Sequence, residues 1–324
     1  MRLATEFIRL PYRFEVEKLT REVLAFDRSE WLPHVQGYAG NTAIPLISLN
    51  GEMNDDFNGP MQVTEKLQRS PYIRQALAAF DEVFGRSRLM GLDARCVVPE
   101  HRDVNYHWYS RVRIHIPVIT NPDVLFHCGD THVHMAAGET WIFDSWKKHR
   151  VENASDQNRV HLVIDTAGSA KFWEMVGASE WRCAKQLRKP ATTADRFVPF
   201  EPDKDATILT EQYNAPLVMP PGEVDALITD LVFDMRAVRE NHGPAMLEFE
   251  KSLQDFRFEW RRLWSLYGQS RDGWVHYENL IKDIRPPIVQ LQLASNQGSA
   301  SHTFGARVLA AALNISLADQ YRSN

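Results

Sequence analysis

Only three cysteines, Cys96, Cys128 and Cys183, occur in 324 residues, and no two of them stand at CxxC spacing. A paired disulfide framework is excluded, and a reducing, cytoplasmic setting is the expectation. No segment approaches the roughly 18 apolar residues of a membrane span. The opening MRLATEFIRLPYRFEVEKL has no continuous apolar stretch of the secretory type. No membrane partner is therefore expected. Basic residues are not in excess either: 37 Lys and Arg against 42 Asp and Glu give a formal net charge of −5. That balance argues against a general nucleic-acid binder. Internal repeats and low-complexity tracts are missing too. What the chain has is 44% apolar and 24% charged residues, enough to bury a sizeable core in one large domain or two ordinary ones.

The texture changes twice along the chain. FEVEKLTREVLAF has helical periodicity, TAIPLISLN reads as a short strand interrupted by Pro45, and SPYIRQALAAFDEVF reads as a helix capped by Ser70 with Pro71 at its first position. From Ser87 to about Gly168 short β-type runs alternate with turn clusters: SRLMGLDARCVV, RVRIHIPVI, THVHM, ETWIFD and RVHLVIDT. Strands so spaced suggest an antiparallel sandwich or barrel. After Pro220 the chain turns helical, with EVDALITDLVFDMRAV, AMLEFEKSLQDFRFEWRRLWSLYG and GARVLAAALN. The fold class expected is α+β: a β core with N-terminal helices and a helical C-terminal region.

His101-Arg102-Asp103 is an HxD pair after the strand-like ARCVVPE. In an extended segment positions i and i+2 project from one face, so imidazole and carboxylate can reach one metal ion. His276-Tyr277-Glu278 looks alike but lies in GWVHYENLIKDI, which is helical in pattern. Its side chains diverge by about 200° and cannot chelate together. A third ligand should come from another strand, and His149 in SWKKHRVEN is the best candidate. Two histidines and one carboxylate leave open positions on the ion, the arrangement of non-haem Fe(II) oxygenases, whereas zinc sites more often close with a fourth ligand.

Arg159 narrows the chemistry. Folding HRVENASDQNRVHLVID about Ala154 puts His149 and Arg159 at one height on neighbouring strands. A guanidinium there could fork onto the distal carboxylate of a dicarboxylate whose other end chelates iron. Such a triad with such an arginine is what a 2-oxoglutarate oxygenase needs. In RVRIHIPV, Arg111, Arg113 and His115 share one face and the aliphatic residues the other; Arg159 and His161 do the same in RVHLVI. These polar faces could line a charged cavity inside a barrel.

HRD, RVRIHIPV, VHMAAGETWIFDSWKKH and an arginine ten residues after that last histidine, in this order, resemble the aspartyl/asparaginyl β-hydroxylase family. Within it they look most like the bacterial branch that includes the L-proline cis-4-hydroxylases. The likeness covers roughly Ser87 to Gly168. It implies a double-stranded β-helix (jelly-roll, cupin-like) core and a dioxygenase using Fe(II), 2-oxoglutarate and O2 to hydroxylate an unactivated C–H bond, with succinate and CO2 released. It makes His101, Asp103 and His149 the metal ligands and Arg159 the anchor for the 2-oxoglutarate C5 carboxylate. It sets His115 beside 2-oxoglutarate, and Arg113 against a cosubstrate or substrate carboxylate. Vertebrate protein-modifying members lack the carboxylate ligand, so Asp103 points to the small-substrate branch. The family's serine on the strand before the metal motif has no clear counterpart.

On this reading residues 1–195 form the oxygenase domain, with its motif core at 87–168, and 196–324 form a mainly helical region that could serve a homodimer. An amino acid, free or peptide-bound, is the expected substrate, with Arg111, Asn105 and Trp108 on its side of the site. Fatty-acyl or protein substrates, or a non-catalytic jelly-roll sensor that keeps the metal pocket, are the alternatives. His107 reads as a loop residue. His127, Cys128, His132 and His134 invite a structural zinc, but no fourth ligand at the usual spacing completes it.

Overall fold

The computed structural model describes residues 1–35, 37–182, 187–188, 194–284 and 290–321; Cys183 lies outside them. The chain forms two compact units, Met1–Asp103 with Ser110–Asn214, and Val104–Tyr109 with Ala215–Asn324.

Ten strands of the first unit position the site: β1 (Phe7–Leu10), β2 (Asn41–Leu49), β3 (Val83–Leu92), β4 (Val97–His101), β5 (Val112–Ile119), β6 (Val124–Cys128), β7 (Thr131–Val133), β8 (Thr140–Phe143), β9 (His149–Asn153) and β10 (Arg159–Thr166). They make two antiparallel sheets. The large one runs β1-β8-β5-β10-β3-β2 through its centre, and the small one runs β7-β6-β9-β4. This is a double-stranded β-helix. Period-two alternation decides which side each residue serves. Val112, Ile114, Ile116 and Val118 of β5, with Val160, Leu162 and Ile164 of β10, form a core with Leu19 and Val23 of α1 (Val16–Leu24) and with Tyr72, Ile73 and Leu77 of α2 (Pro71–Ala78). The opposite face of the large sheet and the small sheet share a second cluster, including Phe7, Phe126, Trp141 and Phe143.

Local expectations meet three corrections. SRLMGLDARCVV is not one strand: it is parted between β3 and β4, which belong to different sheets. Val124–Cys128 forms a strand that its mixed composition does not announce. Ser70 does not cap α2 through its side chain; its hydroxyl donates to the Lys66 carbonyl at 2.9 Å, while Pro71 does open the helix.

Gly138 ties β5 to the N-terminal segment. Its N–H donates to Pro117 O at 2.9 Å, and its carbonyl accepts from Phe14 N at 3.0 Å. Its φ is +74°, and a Cβ there would meet Phe14 O at 2.7 Å. Gly138→Ala should therefore cost about 1–3 kcal/mol of stability, from the left-handed backbone plus a clash with main chain. Chemical denaturation checks this; an unchanged midpoint would count against it.

In the second unit α3 (Pro221–Arg236), α4 (Pro244–Tyr267) and α5 (Arg271–Asp283) pack around Leu231, Phe249, Phe256 and Trp260. A further helical run at 300–312 is interrupted by a π turn over Gly305–Leu309. Residues 104–109 are bound into this unit. Tyr106 donates its hydroxyl proton to Glu223, Arg307 donates to Val104 O at 3.3 Å, and the Arg307 guanidinium lies 5.2 Å from the Tyr109 ring centre. None of the described helices is long and apolar enough to cross a membrane.

Candidate metal centre

β4 and β9 are partners in the small sheet, and their register sets His101 directly opposite His149. The register then shifts between His149 and Val151, an irregularity of the kind that re-aims a side chain. Just past the end of β4, the Asp103 N–H donates to Ser145 O at 2.9 Å, which fixes that segment. One ligand atom from each of His101, Asp103 and His149 lies within 4.8 Å of the other two. The imidazole centroids are 4.1 Å apart, and His149 Nε2 is 3.8 Å from Asp103 Oδ2.

Each imidazole is oriented from behind. His101 Nδ1 sits 2.8 Å from Pro99 O and His149 Nδ1 sits 2.9 Å from Lys147 O. A carbonyl only accepts, so both Nδ1 atoms carry a proton, and both rings turn Nε2 toward the cluster. His149 Nε2 and Asp103 Oδ2 are buried and have no hydrogen-bond partner. Two orphaned donor atoms facing each other would be costly unless a cation lay between them. Burial drives the His149 pKa down to about 4, against a smaller opposing effect of Asp103, and keeps the ring neutral. Burial works against ionisation of Asp103, yet Arg113, His149 and His101 together hold its pKa below the ordinary value. A neutral His149 imidazole and an ionised carboxylate suit Fe(II).

Charged groups also occupy the inward face of the large sheet, where a sandwich would ordinarily be greasy. Arg113 of β5 lies opposite Asp165 of β10, and its guanidinium stands 3.6 Å from Asp165 Oδ1 and 3.6 Å from Asp103 Oδ2. Arg88 of β3 pairs with Asp55, and Arg86 reaches both Asp55, at 3.2 Å, and Asp165, at 3.7 Å. Burial is the first cause of the fall in the Arg88 pKa to about 10. His115 is buried against Phe126 and Phe143, each with its ring centre 5.4 Å away, and Phe143 in turn lies 4.9 Å from His149.

Arg159 differs from these arginines. It opens β10 opposite Leu92 of β3 and is only 4% exposed. Its Nε is buried without a hydrogen-bond partner, and no ion pair forms on it among the described residues. Burial alone pulls its pKa down to about 9. A buried cation without a counter-ion is an expensive feature unless an anion is to be received there.

The structure therefore gathers His101, Asp103 and His149, and sets Arg113, His115 and Arg159 on the inward face. It corrects one step of the sequence argument: His149 and Arg159 are not on neighbouring strands. β9 pairs with β4 and β6, β10 pairs with β5 and β3, and the turn at 154–158 carries the chain from one sheet to the other. Arg111 is already engaged, its Nε 2.7 and 3.0 Å from the two carboxylate oxygens of Glu211. Asn105 and Trp108 belong to the second unit; Asn105 Oδ1 accepts from Trp108 N, and Trp108 is buried. His107 is buried against Trp108. The zinc alternative fails on geometry: His127 faces His132 across the β6–β7 pair, while Cys128 points inward and bonds to Asp144 O. Sequence reasoning missed Asp55, Arg86, Arg88 and Asp165; only the alternation of arginines in FGRSRL hinted at them.

The family model for aspartyl/asparaginyl beta-hydroxylase matches residues 50–168. L-proline cis-3-hydroxylase 1 of Streptomyces sp is 26% identical over 176 residues, 51% of this chain and 60% of the relative. The match thus spans less than two thirds of that relative's length. Among solved structures, an oxidoreductase of the 2OG-Fe(II) oxygenase family from Burkholderia pseudomallei is 15% identical with a TM-score of 0.37, covering 50% of this chain and 85% of that one. A Pseudomonas putida prolyl-4-hydroxylase is 15% identical with a TM-score of 0.35, covering 50% and 92%.

Proposed function

We propose, on the premise that residues 50–168 belong to the aspartyl/asparaginyl β-hydroxylase family, that this chain is an Fe(II)- and 2-oxoglutarate-dependent hydroxylase of an amino acid, free or peptide-bound. One observation carries the reading. A two-histidine, one-carboxylate cluster with orphaned donor atoms and a buried arginine lacking an anion occur in the same β unit. A non-catalytic sensor or a cosubstrate-free cupin enzyme gives no reason for Arg159.

His101, Asp103 and His149 would hold Fe(II) through their free Nε2 and carboxylate atoms. Bound iron with O2 and 2-oxoglutarate supplies the oxidising power that turns C–H into C–OH, with succinate and CO2 as by-products. The chain's own residues do the rest. Arg159 offers its planar fork to the distal carboxylate of 2-oxoglutarate. Arg113 keeps Asp103 ionised and restrains it from one side. Phe126 and Phe143 wall the His149 ring and exclude water from that side of the site. The Streptomyces relative is named for L-proline. The arginine and aspartate row of Asp55, Arg86, Arg88 and Asp165 would suit a small zwitterion, its carboxylate meeting arginine and its ammonium meeting aspartate. With Arg111 tied to Glu211 and Arg88 to Asp55, Arg113, whose carboxylate neighbours stand 3.6 Å away, is the arginine for that carboxylate.

The test is anaerobic titration with Fe(II), with and without 2-oxoglutarate. A weak visible metal-to-ligand charge-transfer band should grow only when both are present, and its absence from folded protein would sink the assignment. Screening amino acids and dipeptides by mass for a gain of one oxygen then identifies the acceptor.

A further inference from the structure

His161 has so far no role. It lies on β10 two residues after Arg159, on the same inward face. The β5–β10 register pairs His161 with Pro117 and Val163 with His115, so the two histidines are diagonal neighbours. Both are buried, at 2% and 3% exposure, and their Nδ1 atoms are 3.4 Å apart. Each Nε2 is buried without a hydrogen-bond partner.

Two neutral imidazoles meeting through Nδ1 form a coupled pair. One Nδ1 must carry a hydrogen and the other must not, so fixing one tautomer fixes the other. Burial pushes both pKa values well below the ordinary histidine value, which keeps the rings neutral. A carboxylate accepts hydrogen bonds and cannot donate. His115 can therefore serve a carboxylate through Nε2 only as the Nε2–H tautomer, which leaves its Nδ1 bare. The one donor within reach of that bare nitrogen among the described residues is His161 Nδ1–H.

We propose that His161 is a positioning residue that locks His115 as the Nε2–H tautomer, so that His115 and Arg159 together receive the distal carboxylate of 2-oxoglutarate. This inference rests on the cosubstrate reading above. It adds a second, strand-borne support for the cosubstrate, built from a histidine that touches neither metal nor ligand.

The experiment has two arms. In 15N-histidine-labelled protein loaded with diamagnetic Zn(II) and 2-oxoglutarate, long-range proton–nitrogen correlation should find His115 protonated at Nε2 and His161 at Nδ1. The reverse pattern, or a charged His115, overturns the proposal. In the Fe(II) protein, His161→Phe keeps a ring but removes the donor. It should weaken 2-oxoglutarate about tenfold, the worth of one charge-assisted hydrogen bond, and leave Fe(II) affinity unchanged. His161→Asn restores a donor near the Nδ1 position and should recover most of the loss. Equal weakening by the two variants would reduce His161 to a packing role and refute the assignment. A wild-type protein that never binds 2-oxoglutarate overturns the cosubstrate reading and this inference together, and shows it before any variant is made.

Discussion

Replacing Arg159 with leucine should make the protein more stable and unable to hold 2-oxoglutarate. The guanidinium is buried with no counter-ion among the described residues. Folding therefore strips water from a cation and returns little to it. An apolar side chain of similar reach avoids that cost, and exchanges of this kind at buried charges gain about 1–4 kcal/mol in favourable cases. Binding moves the other way. Losing the partner of a buried, hydrogen-bonded carboxylate costs about 2–5 kcal/mol, so 2-oxoglutarate affinity should drop by about 100-fold or more. Arg159→Lys keeps the charge without the fork and should fall between. Thermal unfolding and anaerobic titration measure the two effects separately. Unchanged 2-oxoglutarate affinity in Arg159→Leu would show that the arginine serves the fold and not the cosubstrate.

His149→Ala should abolish iron binding at low micromolar metal, a loss of at least about 100-fold. Even removing an outer-shell partner of a metal ligand costs 10–100-fold, and here the ligand itself goes. The substitution also empties a space beside Phe143 and leaves Asp103 Oδ2 without its nearest imidazole. His127→Ala is the matching control. That ring stands on the other face of the small sheet and belongs to no group of three ligands among the described residues. Metal content after anaerobic dialysis distinguishes the two variants. Iron retained by His149→Ala at the wild-type level would rule out this centre.

How much of this was legible beforehand depends on the range of each signal. The HxD pair was readable because period two is a local property of an extended chain, and His101 and Asp103 do converge. Arg159 was readable for the same reason, from its alternation with Val160 and Leu162. Membership in a sheet is not local. Nothing in HRVENASDQNRVHLVID says that its two strands go to different sheets, and the simpler hairpin is not what forms. The Asp55–Arg86–Arg88–Asp165 row escapes a local reading because Asp55 and Asp165 stand 110 positions apart; β3–β10 pairing brings Arg86 to Asp165, and the loop after β2 brings Asp55 to Arg86 and Arg88. Arg111 misled for a related reason. Alternation placed it with Arg113 and His115, but its partner, Glu211, lies a hundred residues away.

The six residues 104–109 bear on modularity. They follow Asp103 directly, yet they are packed with helices that start more than a hundred residues later. The chain therefore passes between its units at three peptide bonds: after Asp103, after Tyr109 and after Asn214. Cutting once at Asn214 cannot yield two self-sufficient pieces, because the helical piece would lack residues 104–109 and the β piece would carry them without the helices they pack on. The same threading restricts how such a protein can be recombined. A foreign helical region could be grafted after Asn214 only together with a matching loop inserted directly behind the metal motif. A change in the helices that pack on residues 104–109 is thus a change next to Asp103 of the candidate metal centre.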